Sequence, residues 1–207
     1  MTISLEKVGK RFNYDWIFRG IAFTFETPGT YAILGPNGSG KSTLLQILAG
    51  SLHTSEGSIS YRDADGRPVA SDQVFHHVSV AAPYLELVEE FSLLELLDFH
   101  RQFKSFIDGL TPLDVVRAIG LEDSRHKPVR LYSSGMKQRV KLAQAIFSDT
   151  PVLLLDEPCT NLDEAGVQLF HRLLSRYAPG RLVVVSSNDP REYEGCKVHL
   201  SITDYKP

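Results

Sequence analysis

The stretch Gly35-Pro-Asn-Gly-Ser-Gly-Lys-Ser42 restricts the folds open to this chain more than any other. A compact apolar run, Thr30 to Leu34, precedes it, and a leucine-rich segment from Ser42 to Ala49, stopped by Gly50, follows. That order predicts a strand, a glycine loop and a helix. Glycines let the backbone bend so that successive N–H groups converge, and the helix that follows presents its positive end to the same point. The ligand that suits such a loop is a phosphate: Lys41 would hold the outer phosphates and the Ser42 hydroxyl would ligate Mg²⁺. From average composition, a chance match to G-x-x-x-x-G-K-[ST] in a chain of this size is on the order of one in a hundred.

A second segment fits the same chemistry. Val152-Leu-Leu-Leu-Asp156-Glu157-Pro158 is an apolar strand ending in two carboxylates. Asp156 is expected at the sheet's carboxyl edge beside the glycine loop, where it can hold water on Mg²⁺, and Glu157 can polarise an attacking water.

The rest of the chain supplies the setting. Ile3, Leu5 and Val8, then Ile21, Phe23 and Phe25, then Ile59 and Tyr61 fall on strand-like positions, and Asp63 to Gly66 has turn chemistry. From Leu85 to Phe106, Leu87, Val88, Phe91, Leu94, Leu97 and Phe103 recur at helical spacing. Thr111-Pro112 opens a further helix that Gly120 ends. The last third alternates buried-type strands (152–155, 182–186, and a weak one at 198–202) with a helix over 164–177, which implies a parallel sheet covered on both faces.

Composition removes other classes. With 22 Lys plus Arg against 25 Asp plus Glu, a net charge of -3 argues against a protein that binds nucleic acid by neutralising its phosphates. Cys159 and Cys196 are too few for a disulfide framework and fit a reducing compartment. No apolar run approaches the roughly 20 residues of a spanning helix, and Met1 to Lys7 alternates like a strand without a signal-peptide core.

A third motif narrows the class. Leu131-Tyr-Ser133-Ser134-Gly135-Met136-Lys-Gln-Arg139 lies shortly before the Asp-Glu strand and opens a helix reaching about Ser148. The ordered set of glycine loop, this motif, Leu155-Asp156-Glu157-Pro158 and Thr160-Asn161-Leu162-Asp163 resembles the ATP-binding subunits of ABC transporters along nearly the whole chain. The resemblance implies an α/β fold: a P-loop NTPase core with a parallel sheet, an N-terminal antiparallel β subdomain and an inserted helical subdomain. Residues 1–207 would be one ABC ATPase domain, with about 1–82 and 150–207 as the β-rich core and about 84–148 as the helical lobe.

It further implies that ATP lies on Gly35, Pro36, Asn37, Gly38, Ser39, Gly40, Lys41, Ser42 and Thr43, with Mg²⁺ on Ser42 and Asp156 and with Glu157 and Lys41 catalytic. Phe12 would stack on adenine, with Tyr14 or Trp16 as alternatives. Tyr132 to Met136, with Ser133, Ser134, Gly135 and Met136 as contacts, would touch the γ-phosphate of ATP bound to a second ATPase subunit, identical or different. Thr160 to Asp163 would cross that dimer interface, with Asp163 near nucleotide. The expected partner is a transmembrane permease subunit, which would hold the chain on the cytoplasmic face of the membrane. The apolar residues Tyr84, Leu85 and Leu87 would form a socket for a short helix of that partner.

Two positions depart from the family. Pro83 stands where the family carries a glutamine that touches Mg²⁺, and Asn188 stands where it carries a histidine. As a third catalytic residue beside Glu157 and Lys41, Asn188 would donate an amide hydrogen bond to the γ-phosphate, although an amide cannot become a cation or pass a proton. Hydrolysis coupled to transport is the expected function, and an ATP-binding but hydrolysis-impaired regulatory subunit is the alternative.

Overall fold

The computed structural model describes residues Met1–Lys206 and divides them into two compact units. The first comprises Met1–Val80, Pro151–Glu157 and the chain from Gly180 onward; the second comprises Ala81–Thr150 and Pro158–Pro179.

The first unit opens with β1 (Thr2–Phe12) and β2 (Asp15–Glu26), an antiparallel hairpin. Ile3, Leu5 and Val8 are buried, yet Leu5 and Val8 are three positions apart. A register shift between them, with Lys7 at φ 50°, absorbs the extra residue and keeps all three side chains on the core face. β3 (Gly29–Leu34) then leads into the glycine loop and α1 (Lys41–Leu48). Leu44, Leu45, Ile47 and Leu48 of α1 are fully buried, and each such side chain contributes about 1.5–3 kcal/mol. Gly50, at φ 73°, closes the helix in the left-handed conformation that suits glycine.

β4 (Glu56–Arg62) and β5 (Pro68–Val69) form the hairpin marked by Asp63 to Gly66. The Asp63 carboxylate accepts from the N–H groups of Asp65 and Arg67, both at 2.9 Å. The antiparallel sheet has strand order β2-β1-β4-β5. A second sheet contains β6 (Val78–Ala81), β7 (Val152–Asp156), β8 (Leu182–Ser186) and β9 (Val198–Ser201) in the order β6-β7-β8-β3-β9. β3 runs parallel to both β8 and β9, and β7 runs parallel to β8. Every residue of β7 and β8 is buried, as continuous apolar strands require. One hydrophobic core joins the two sheets and α1, including Phe18, Phe25, Leu154 and Val184.

The second unit is helical. It contains α2 (Leu93–His100), α3 (Pro112–Ala118), α4 (Ser134–Ile146) and α5 (Glu164–Tyr177). The helical spacing expected from Leu85 to Phe106 is realised only over the eight residues of α2. Ser92 starts α2 with a reciprocal capping box to Glu95. Upstream, the carbonyls of Glu89 and Phe91 accept from the N–H groups of Arg130 and Val129, both at 2.9 Å, so they are committed to a neighbouring segment and not to a helix. α3 follows its expected signals: Thr111 makes a capping box with Asp114, Pro112 occupies the first turn, and Gly120 follows the end.

Candidate active site

Parallel pairing brings three strand ends level. Ile33 and Asp156 are both register partners of Ser186, so the chain leaves β3, β7 and β8 along one edge of the sheet. The glycine loop follows β3, Glu157 follows β7, and Ser187 to Asp189 follow β8. Carboxyl edges of this kind are where open α/β sheets bind ligands.

The loop itself has left-handed or otherwise glycine-specific backbone at Gly38 (φ 75°) and Gly40 (φ 105°). A Cβ on Gly40 would lie 2.4 Å from Ile17 Cγ2, so any other residue there must displace Ile17 as well as adopt a strained backbone. Lys41 begins α1 and is buried, and its ammonium donates to the carbonyls of Gly35 (2.8 Å) and Pro36 (3.3 Å). Those bonds bend the lysine back over the loop and hold its charge at the mouth. A cavity of about 200 Å³ opens there, lined by Asn37, Gly40, Lys41, Ser42, Ile17 and Glu157, among others. Glu157 and Lys41, 116 positions apart in sequence, thus face one small volume.

Two features of the acidic strand end bear on a metal. Asp156 is 2% exposed, and its Oδ1 has no hydrogen-bond partner. A buried carboxylate oxygen without a donor is costly unless something else satisfies it, and water on a divalent cation does so. Ser39 Oγ is likewise buried without a partner. The two side chains expected to hold the metal, the Ser42 hydroxyl and the Asp156 carboxylate, offer only oxygen, which is the donor chemistry that suits Mg²⁺. Glu157 sits at φ 43°, an uncommon conformation for this residue type, and its N–H donates to the Ser186 carbonyl at 2.8 Å. Backbone strain of this sort gathers at functional sites and fixes the direction in which a side chain projects.

Asn188 is exposed, and its Nδ2 donates to Asn37 Oδ1 at 2.7 Å. The loop after β8 therefore touches the glycine loop directly. Phe12 ends β1, half of its surface is exposed, and the Lys10 ammonium lies 5.1 Å from its ring centroid. Tyr14 is still more open, whereas Trp16 lies under two guanidinium groups, Arg19 at 4.2 Å and Arg11 at 5.5 Å. Ile17, which the sequence does not single out, forms part of the wall of the cavity at Lys41. An aliphatic residue in an edge hairpin carries no signal of such a place.

In the helical unit, Ser133 caps α4 by accepting from the Met136 N–H at 3.2 Å. Gly135 packs so closely that an added Cβ would lie 3.0 Å from the Asn161 carbonyl. Asp163 caps α5 through Gly166 N–H at 2.8 Å and lies 3.6 Å from Arg139 of α4. The buried Gln138 amide donates to the Pro158 carbonyl at 2.7 Å. Ser133 to Met136 and Asn161 to Asp163 are thus held together around the starts of two helices. Pro83 is exposed, and its carbonyl accepts from Lys141 at 2.9 Å. Burial lowers the Lys141 pKa from its ordinary value, against the opposing effect of Glu86. Tyr84 and Leu85 are exposed and Leu87 is half-buried.

Comparison with known proteins gives one consistent result. The sequence profile described as "ABC transporter" matches residues 18–160. An uncharacterized ABC transporter ATP-binding protein of Bacillus subtilis is 32% identical over 188 residues, covering 90% of this chain and 85% of the relative. A cytochrome c biogenesis ATP-binding export protein of Chelativorans sp. is 30% identical, covering 94% of this chain and 95% of the relative. A Nod factor export ATP-binding protein of Burkholderia lata is 34% identical, and the match covers 93% of this chain but 64% of that longer protein. Among solved structures, a dimeric post-hydrolysis ATP-binding cassette bound to ADP and Pi superposes with a TM-score of 0.82 at 21% identity, covering 97% of this chain and 94% of that one. At that identity the likeness is one of fold.

Proposed function

The chain belongs to the ABC transporter family as an ATP-binding subunit, and from that membership we propose that it binds and hydrolyses ATP to drive a separate transmembrane permease subunit. The observation that carries the hydrolytic part is the convergence of Lys41, Ser42 and Glu157 on one cavity, beside a buried Asp156 oxygen that has no protein partner. In this reading the backbone N–H groups of the glycine loop and the Lys41 ammonium bind the phosphates and neutralise their charge. Ser42 and Asp156 hold Mg²⁺, which supplies charge neutralisation and orientation of the phosphate oxygens when bound. Glu157 takes the proton of the attacking water, and its strained backbone keeps the carboxylate turned into the cavity. Asn188 donates a hydrogen bond to the outer phosphate in place of the family's histidine. Phe12 supports the base.

We also assign Ser133, Ser134, Gly135, Met136 and Asp163 to the nucleotide of a second ATPase subunit, so that two subunits enclose two ATP molecules. Both the Chelativorans and the Burkholderia relatives are named as export proteins, which favours an exporter for this chain as well. None of the helices in the described residues is long and apolar enough to cross a membrane. In this reading the membrane path belongs to the permease subunit. The chain would then sit on the cytoplasmic face through that partner.

The alternative of a hydrolysis-impaired regulatory subunit draws support from Pro83, which offers no side-chain ligand, and from Asn188, whose amide is engaged by Asn37. Steady-state phosphate release from wild type and Glu157→Gln separates the two. Wild-type release well above the variant is expected, and equal background rates from both would reject hydrolysis.

A further inference from the structure

The turn after β8 contains a buried carboxylate that none of the assignments above uses. Ser187 is 1% exposed, and its hydroxyl donates to the carboxylate of Glu192, itself 6% exposed. Glu192 lies in the short helix α6 (Pro190–Tyr193). The same Ser187 oxygen accepts from the Asp189 N–H at 2.9 Å, and the Glu192 N–H donates to the Asp189 carbonyl at 2.9 Å. On the sheet side, the Ser187 N–H donates to the Ile33 carbonyl of β3 at 3.2 Å. Asp189 is anchored in turn by Arg191, whose Nη2 lies 2.5 Å from the carboxylate. Both neighbours of Asn188 are therefore fixed, while Asn188 itself is exposed and extends to Asn37.

We infer that Glu192 is a positioning residue for ATP hydrolysis: it holds Ser187, and through that turn it aims the Asn188 amide at the glycine loop. Burying a carboxylate is unfavourable unless its oxygens receive hydrogen bonds, and an apolar side chain would secure a four-residue helix at lower cost. What the carboxylate adds is direction. Ser187 Oγ also lies 3.5 Å from the Asp189 carbonyl, a long contact, so the close Glu192 carboxylate is the acceptor that holds the hydroxyl while the same oxygen accepts from the Asp189 N–H. The arrangement matters because the contact made by Asn188 is a single bond between two exposed amides, too weak to orient the turn by itself. The kinetic part of this inference rests on the role given to Asn188 under Proposed function.

Two readouts test it. The first is the pair of Asn188 side-chain amide protons, identified in nitrogen-15 correlation spectra by their absence from Asn188→Ala. They are expected at a hydrogen-bonded position in wild type and Glu192→Gln, whose amide oxygen still accepts from Ser187, and at a free-amide position in Glu192→Ala and Ser187→Ala. The second is steady-state phosphate release. Because a small misplacement of a reacting group costs up to about a hundredfold, Glu192→Ala and Ser187→Ala should lower kcat by roughly 10- to 100-fold, with KM for ATP nearly unchanged. Glu192→Gln should recover most of that loss, and Glu192→Ala should cause no further loss in the Asn188→Ala background. Asn188 resonances unmoved by both Ala variants, or an equal kcat loss with and without Asn188, would overturn the inference. Wild-type kcat in Asn188→Ala would instead remove Asn188 from the reaction, and the resonances would still decide whether Glu192 orients it.

Discussion

Replacing Lys41 with methionine separates the two roles of this side chain. Methionine keeps most of the aliphatic stem in a buried site and deletes the charge. At an effective dielectric of 20, a unit charge on phosphate about 4 Å from the ammonium is attracted by about 4 kcal/mol. The free protein already gives that ammonium two neutral acceptors, the Gly35 and Pro36 carbonyls at 2.8 and 3.3 Å. Binding must compete with these bonds, each worth about 1 kcal/mol net, so the nucleotide-dependent part falls to roughly 2–3 kcal/mol. That corresponds to ATP binding weaker by roughly 30- to 150-fold, at 1.4 kcal/mol per factor of ten. The folded state should lose about 1–2 kcal/mol, since the Gly35 and Pro36 carbonyls lose the lysine as a donor and only Pro36 keeps another, the Ser39 N–H at 3.1 Å. Isothermal titration with ATP and Mg²⁺ measures the first, and urea unfolding without nucleotide measures the second. An affinity change below about fivefold, with the stability loss intact, would refute the claim that Lys41 is held ready for phosphate and make it a structural clasp of the loop.

Asp156→Asn should leave the fold intact and abolish most of the Mg²⁺ dependence of ATP affinity, because the unpartnered Oδ1 would no longer be anionic; an unchanged dependence in titrations with and without EDTA would place the metal elsewhere. Gly40→Ala should weaken ATP binding and lower the melting temperature together, since φ 105° and the 2.4 Å approach to Ile17 leave no room for a methyl group. Restoring space with Ile17→Ala should recover only part of the loss, because the backbone strain of about 1–3 kcal/mol remains. His100 provides a pH test: its pKa is lowered to about 4, first by burial and then by Lys104, while its Nε2 lies 2.9 Å from Ser148 Oγ. The folded value lies below the ordinary 6.5, so the unfolded chain takes up the proton first and stability falls as pH drops from about 6.5 to 4. His100→Gln should flatten that part of the stability curve measured by urea unfolding, and an unaltered slope would assign the acid sensitivity to other groups.

The elements that frame the candidate site were legible in the sequence because local patterns carry them. The glycine loop joins β3 to α1 as its flanking runs predict, and the short apolar runs at 152–155 and 182–185 form the buried strands β7 and β8. The helical spacing across Leu85 to Leu94 misled because periodicity reports which side chains are buried, not where the backbone bonds go. The capping box at Ser92 and the pairing of Glu89 and Phe91 with Val129 and Arg130 set the actual start of the helix. Val129 and Arg130 lie more than thirty residues further along the chain, beyond any local window.

The sequence by itself determined the residue types available for phosphate, metal and proton transfer, since glycine, lysine, serine and carboxylate chemistry belongs to the side chains and their spacing. Tertiary structure alone decided which of these groups meet. Parallel register levels Ile33, Asp156 and Ser186 and so brings Glu157 to the cavity of Lys41, although more than one hundred residues separate them. It also placed Ile17 in the wall of that cavity and buried Glu192 behind the Asn188 turn. Neither residue has a local signature, because burial and hydrogen bonding between distant segments are properties of the packed chain.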